Sequence, residues 1–216
     1  MASIGKEKLG LVRRLYYEEL LSMSQVAGKL GVSLEAVIYF MRRHGLYRRT
    51  YLEANNNLFR QKIPSFKIRK NSSVLAKELE IAGTMLYWAE GYKSVKGTFV
   101  DLANSDPRMI KVFLNFLRTT YEVDERKFRV LLYCYADQDV PKLIGFWSKV
   151  TKISPKQFIK PYVRKDFKET GRKMEYGMIH VRYIDKKLLL DIKGRIEKYV
   201  GKFAQAPILE TRKNRE

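Results

Sequence analysis

Apolar residues recur at a helical spacing through the first part of the chain. The first stripe predicts a helix over residues 6–21 whose apolar side consists of Leu9, Val12, Tyr16 and Leu20. Two shorter helices follow, with Ser24 and Ser33 as candidate N-caps. Gly31 lies between them and permits the left-handed backbone of a tight turn. The third helix is predicted to pack through Val37, Ile38 and Met41. Residues 1–49 are therefore predicted to form a three-helix module.

The pattern then changes twice along the chain. Residues 50–73 show no clear period, because three consecutive asparagines and Pro64 interrupt it, and they are predicted to be a basic linker. Residues 74–203 alternate helical and strand periods. Four helices are predicted: one opened by Ser72 or Ser73, one from Pro107 with Asp106 as its N-cap, one from Pro141 started by Asp139, and one from residue 186. Strands are predicted over residues 97–103, 128–135, 158–164 and 176–183. This order predicts an α+β domain with its helices packed on one face of an antiparallel sheet. Residues 204–216 are predicted to be a flexible tail.

Charge narrows the class of partner. The 216 residues include 43 Lys and Arg against 23 Asp and Glu, a formal net charge of +20, and polyanion binding is the commonest use of such an excess. The total leaves DNA, RNA and an anionic membrane open. The single cysteine, Cys134, excludes an internal disulfide and a multi-cysteine zinc site. No apolar run is long enough to span a bilayer, so a cytoplasmic or nucleoid-associated protein without a membrane partner is expected.

Residues 23–42 resemble the helix-turn-helix family, in the small Ala27, in Gly31, in the capping Ser33 and in the packing Val37. The resemblance implies that the third helix enters the major groove of double-stranded DNA. The basic run that follows it would then contact phosphates. The residues predicted to bind DNA in this module are Ser33, Glu35, Tyr39, Arg42, Arg43, Arg48 and Arg49. A module of this kind used for protein contact is the alternative.

Residues 81–91, IAGTMLYWAEG, resemble the LAGLIDADG signature of the homing endonucleases, with Glu90 and Gly91 at its acid–glycine end. The resemblance extends over residues 74–200 and includes the strand at residues 99–103 and the NSDP sequence at residues 104–107. It implies the saddle-shaped DNA-binding sheet of that family. It also implies a homodimer that cuts both strands of a pseudo-palindromic site, because a single motif is present. The family usually has Asp at the acid position, so Glu90 is a longer variant.

The spacing within this helix suggests a reason for the chemistry. Gly83 and Glu90 are two helical turns apart and share a face, so two such helices could bring their carboxylates together. Paired carboxylates suit Mg²⁺, which can activate water and stabilise a leaving phosphate oxygen. Glu90 is therefore the predicted catalytic metal ligand, and Lys93 a predicted aid to charge stabilisation. The predicted dimer interface consists of Ala82, Gly83 and Leu86. An ordinary exposed Glu before a helix-stopping Gly is the alternative.

Strand alternation predicts a basic and aromatic face on the sheet, opposite an aliphatic one. The residues predicted to bind DNA there are Arg129, Tyr133, Lys160, Arg164, His180 and Arg182. A solvated sheet face is the alternative. Neither histidine is assigned a catalytic role, since His44 ends a helix and His180 has no acid near it in the sequence.

Three functions follow from these observations. The leading hypothesis is sequence-specific binding of double-stranded DNA with Mg²⁺-dependent phosphodiester cleavage, and no small-molecule substrate is expected. The first alternative is a non-catalytic transcription regulator on a LAGLIDADG fold. It resembles a bacterial family in which the helix-turn-helix follows the saddle, whereas here it precedes it. The second alternative is an intron RNA-binding, maturase-like protein. The helix-turn-helix argues against that alternative, because the deep, narrow RNA major groove excludes a helix.

Overall fold

The computed structural model describes residues 4–70, 73–165 and 174–205. The chain divides into two compact units, Met1–Ile63 and Pro64–Glu216. The first unit contains α1 (Leu9–Arg13), α2 (Met23–Leu30), α3 (Leu34–Arg43) and α4 (Tyr51–Gln61). The second contains α5 (Val74–Glu90), α6 (Pro107–Thr120), α7 (Val140–Thr151) and α8 (Lys186–Ala204). Its strands are β1 (Phe66–Ile68), β2 (Val100–Asn104), β3 (Tyr121–Val123), β4 (Phe128–Tyr135), β5 (Phe158–Arg164) and β6 (Met178–Tyr183). The α+β class is confirmed.

The first unit has a small core of its own, formed by Val12, Leu15, Tyr16, Val26, Ala27, Val37, Phe40 and Met41. Ser33 caps α3 by accepting a hydrogen bond from the backbone N–H of Ala36, and Gly31 has a φ of 66°, as predicted. Two details differ from the prediction. Ser22, not Ser24, caps α2, because its hydroxyl accepts from the Gln25 N–H and its own N–H donates to the Gln25 side chain in a capping box. Leu20 has a φ of 55° and lies beyond the first helical stretch, which ends in a π turn at Glu18.

Helix α4 corrects the prediction that residues 50–73 are a linker. The Thr50 hydroxyl accepts from the Glu53 N–H at 3.3 Å, and the Glu53 carboxylate accepts from the Thr50 N–H at 2.7 Å. This reciprocal cap starts a helix despite the asparagines, and none of its residues is buried. Farther on, β1 pairs with β3, and the Ser65 N–H donates to the Asp185 carboxylate at 2.7 Å. Residues from Pro64 onwards therefore belong to the second unit.

The main sheet has the strand order β2-β6-β4-β5. β6 is antiparallel to both β2 and β4, but β4 and β5 are parallel, so the predicted all-antiparallel sheet is wrong at this edge. The two strands are parallel because α7 lies between them in the chain and forms a crossover, so that β5 starts at the same end of the sheet as β4.

The core of the second unit lies between one face of this sheet and the helices. β4 alternates buried and half-buried residues along its whole length, with Phe128, Val130, Leu132 and Cys134 inside. Asp106 and Asp139 cap α6 and α7 as predicted, and Ser73 caps α5. The alternative cap Ser72 and most of the predicted tail, residues 206–216, lie outside the described residues. The half-buried residues of β4 lie on the other face of the sheet.

Candidate nucleic-acid interface

The surface of α3 carries most of the polar residues predicted for the first unit. Glu35, Arg42 and Arg43 are exposed, and Tyr39 is 53% exposed with the Arg42 guanidinium 5.8 Å from its ring centroid. Ser33 is half-buried, and its hydroxyl is used as the helix cap. Glu35, Tyr39, Arg42 and Arg43 therefore form the accessible surface of this helix, hereafter the α3 surface.

Arg48 and Arg49 have different surroundings, although both were predicted to bind DNA. Arg48 is exposed. The Arg49 guanidinium donates to the carbonyls of Leu20 and Leu21 and lies 4.0 Å from the ring centroid of Tyr16. Arg49 thus provides hydrogen bonds to two backbone carbonyls at the point where Leu20 has a positive φ. DNA binding by Arg49 stays a prediction, and without DNA this side chain binds its own module.

The acidic end of α5 is anchored against the sheet. Glu90 is the last residue of the helix and is exposed, and its carboxylate forms no hydrogen bond or ion pair within the described parts of the chain. Gly91 forms a β-bridge with Leu102, and a Cβ at Gly91 would lie 2.5 Å from the Tyr87 ring. Burial raises the pKa of Tyr87 to about 12, so its hydroxyl stays protonated and donates to the Tyr92 carbonyl at 2.9 Å. Glycine is required after Glu90 for this close approach.

Lys93 caps the same helix end. Its ammonium donates to the carbonyls of Trp88 at 2.6 Å and Gly91 at 3.0 Å. A cation at a helix C-terminus is favourable because it compensates the negative end of the helix dipole. The role of Lys93 in charge stabilisation stays a prediction, and in this structure its amine is held by the backbone.

The predicted dimer interface divides between two faces of α5. Ala82 is exposed and Leu86 half-buried, whereas Gly83 is buried. A Cβ on Gly83 would lie 2.2 Å from Cβ and Cγ of Phe116, which belongs to α6. Gly83 is therefore a contact within the chain, and its assignment to the interface is corrected. Ala82 and Gly83 lie on different sides of α5 because consecutive residues of a helix are about 100° apart around its axis.

The open face of the main sheet, opposite the helices, carries the predicted basic and aromatic side chains. Arg129 lies opposite Arg182 in register, and both are half-buried. One Arg129 guanidinium nitrogen donates to the carbonyls of Arg126 and Phe128, at 2.8 and 2.6 Å. The Tyr133 ring lies between those of Tyr162 and His180, with centroid distances of 5.0 and 4.9 Å. A row of three aromatic rings thus crosses β5, β4 and β6, and Arg129 and Arg182 lie on the same face of the sheet.

The edge strand β5 departs from the predicted alternation. Leu131 is paired with Ile159 and Tyr133 with Tyr162, so β5 has one residue more than β4 between these pairs. Lys160 falls at this irregularity and has no registered partner, whereas Arg164 stays opposite Tyr135. The prediction that Lys160 shares a face with Arg164 is therefore corrected.

Asp101 is the functional candidate that the sequence reasoning missed. It is 6% exposed, and its two carboxylate oxygens lie 2.9 Å from His180 Nδ1 and 2.9 Å from Arg182 Nε. His180 therefore has an acidic partner in the fold, although none is near it in the sequence. The two residues are 79 positions apart, so only the pairing of β2 with β6 brings them together. The available signal was an Asp within an apolar strand.

Two further observations concern possible ligands and the membrane. Among the residues that the structure describes, no group of three His, Cys, Asp or Glu side chains could hold a metal ion. In the same part of the chain, no helix is both long enough and apolar enough to cross a membrane. Burial raises the pKa of the Cys134 thiol, which is typical of a packed rather than a reactive cysteine.

No protein-family model matches the chain, and neither a curated protein nor a solved structure matches it.

Proposed function

We propose that this chain binds specific sites in double-stranded DNA, with a helix-turn-helix module and a LAGLIDADG-type saddle, and that it cuts DNA as a metal-dependent homodimer. The observation that carries this proposal is the open face of the main sheet, where Arg129, Tyr133 and Arg182 stand together over a helix-backed core. Such a face suits phosphates and base edges at once. A DNA partner would place the protein in the cytoplasm or at the nucleoid.

The first unit supports the choice of duplex DNA. α2, the turn at Gly31 and α3 have the order and capping of a helix-turn-helix, and the α3 surface offers Tyr39, Arg42 and Arg43 to a groove. The B-form major groove admits a helix, whereas that of duplex RNA does not. Arg48 adds an exposed cation beyond the helix for a phosphate contact.

Cleavage would depend on Glu90. Its exposed carboxylate is unengaged within the described residues, which suits a Mg²⁺ ligand, but one carboxylate per chain does not complete a site. A second copy would supply the other Glu90 if the two α5 helices met through Ala82 and Leu86, which are not fully buried. When bound, the metal would activate water and stabilise the leaving oxygen. The contact between Gly91 and Tyr87 would hold Glu90 in place.

A non-catalytic regulator with the same two DNA-binding surfaces is the second candidate. The observation that favours it is Lys93, whose amine is held by two backbone carbonyls at the end of α5. This residue stabilises the helix end without any requirement for chemistry. The two candidates share duplex binding and differ only at Glu90.

The two candidates are separated by incubating a randomised duplex library with Mg²⁺ and sequencing the ends that are produced. Three proteins are compared: the wild type, Glu90→Gln, and Glu78→Gln as an exposed glutamate on the same helix. We expect site-specific cuts with the wild type and Glu78→Gln, and none with Glu90→Gln. Selective binding without cuts in all three would establish the regulator. Absence of selective duplex binding would refute the proposal.

A further inference from the structure

The Asp101 carboxylate on the open face accepts from two donors at once. Oδ1 lies 2.9 Å from His180 Nδ1, and Oδ2 lies 2.9 Å from Arg182 Nε. The side chain of Asp101 is 8% exposed, and those of His180 and Arg182 are 21% and 23% exposed. Partial burial protects both contacts from water. Among the residues that the structure describes, the imidazole has one hydrogen-bond partner at Nδ1, and its Nε2 is not engaged.

The carboxylate determines which nitrogen carries the proton. An ionised carboxylate only accepts hydrogen bonds, so Nδ1 must be the protonated nitrogen. The negative charge of Asp101 is already balanced by Arg182, and Arg129 lies opposite Arg182 on the adjacent strand. In the neutral imidazole, the contact with Asp101 therefore selects the Nδ1–H tautomer, whose Nε2 carries a lone pair.

A neutral Nε2 has a narrow choice of partners on DNA. It is a hydrogen-bond acceptor, and a phosphate offers no donor to it. In the major groove, the donors are the N6 amine of adenine and the N4 amine of cytosine. Contact with the Tyr133 ring, tilted by 34° at 4.9 Å between centroids, restricts rotation of the imidazole. The cluster therefore suits the recognition of a base edge.

We infer that His180, held by Asp101, recognises the exocyclic amine of an adenine or a cytosine in the bound duplex. This inference rests on the proposed function, and it assigns a specificity-determining role that is independent of cleavage. Asp101 acts as a positioning residue, since it sets the tautomer of His180. The guanidinium of Arg182 balances the charge and keeps the carboxylate in place.

Asp101→Asn is the informative variant, because an amide has one accepting oxygen where the carboxylate has two. Arg182 can only donate, so it takes that oxygen, and the amide NH₂ then faces His180 Nδ1. Nδ1 becomes an acceptor, and the proton moves to Nε2. His180 would then donate to acceptors such as guanine N7 or O6 and thymine O4. The selected base should change at one position of the site.

The first test is ¹⁵N NMR of the full chain at neutral pH, with ¹⁵N-labelled histidine. There are two histidines, so His44 is an internal reference and His180→Gln assigns the signals. We expect the Nδ1–H tautomer for His180 in the wild type and the Nε2–H tautomer in Asp101→Asn, with His44 unchanged. A doubly protonated His180 in the wild type, or the same tautomer in both proteins, would overturn the inference.

The second test is selection of binding sites from randomised duplexes by the wild type, Asp101→Asn and His180→Ala. We expect one position to lose an adenine or cytosine preference of roughly fivefold or more in His180→Ala and to change base class in Asp101→Asn. Specific binding with unchanged preferences in both variants would overturn the inference and leave the proposed function intact. Absence of selective duplex binding by the wild type would overturn both, whatever the tautomer.

Discussion

Replacement of Gly83 by alanine tests the packing of α5 against α6. The new Cβ would lie 2.2 Å from Cβ and Cγ of Phe116, whereas ordinary contacts begin at 3.4 Å. Phe116 is fully buried, and its Cβ is fixed to the backbone, so its side chain cannot rotate away. The two helices must therefore separate by more than an ångström, and the surrounding core must follow.

The expected change in the free energy of unfolding is the difference between two opposing effects. Overpacking of a core costs about 1–3 kcal/mol, and a contact this short with an immobile atom belongs at the upper end. Alanine in a helix is favoured over glycine by about 1 kcal/mol. We expect a net loss of about 2 kcal/mol in the free energy of unfolding. With a denaturant slope of about 2 kcal/mol per molar urea, the midpoint should fall by about 1 M.

Tryptophan fluorescence during urea unfolding is the assay, because both tryptophans, Trp88 and Trp147, belong to the second unit. Gly194→Ala is the matched control. Gly194 lies in α8, and a Cβ there would meet nothing within 4 Å, so this variant should raise the midpoint. A midpoint that rises equally in Gly83→Ala would refute the α5–α6 packing and return Gly83 to the dimer interface.

Three further predictions concern individual side chains. Arg49→Ala should destabilise the first unit by about 2 kcal/mol or more in thermal unfolding followed by circular dichroism, because two backbone carbonyls and the Tyr16 ring lose their partner. Arg48→Ala should weaken DNA binding without this loss, and equal stability of the two variants would contradict the assignment. Lys93→Met should lower the unfolding temperature slightly and leave any cleavage rate within a fewfold of the wild type; a stable but inactive variant would restore its catalytic role. For Asp185, burial raises the pKa, but hydrogen bonds from Ser65 and backbone N–H groups outweigh it, and the pKa in the folded state is lowered. Its stabilisation is therefore present above the ordinary pKa near 4 and lost as pH falls through the folded value, so the stability gap between the wild type and Asp185→Asn should narrow from pH 6 to pH 2. A gap independent of pH would contradict this.

Local signals in the sequence predicted most of the second unit. The alternation from Phe128 to Tyr135 corresponds to β4 residue for residue, since one face of that strand is buried against the helices. Asp106 and Asp139 mark the starts of α6 and α7, because capping depends on neighbouring residues only. Helix α4 was missed although Thr50 and Glu53 form a capping box, because the asparagines that follow are usually found in turns.

The site itself was less predictable, because its contacts join distant parts of the chain. Asp101 meets His180 only through the pairing of β2 with β6, and nothing near either residue indicates the other. Arg49 and Lys93 are basic residues of the kind that bind DNA, yet both donate to backbone carbonyls. The sequence does not show whether a basic side chain will contact DNA or the backbone of its own chain. The irregularity at Lys160 likewise depends on the register with β4.

The most direct test of the central claim is the affinity of the full chain for its selected duplex as a function of salt, with a scrambled duplex of equal length as competitor. If the α3 surface and the open sheet face contact several phosphates, affinity should fall on the order of a hundredfold or more between about 50 and 200 mM salt. The selected duplex should also outcompete the scrambled one throughout. An affinity that is insensitive to salt, or equal for the two duplexes, would contradict sequence-specific DNA binding.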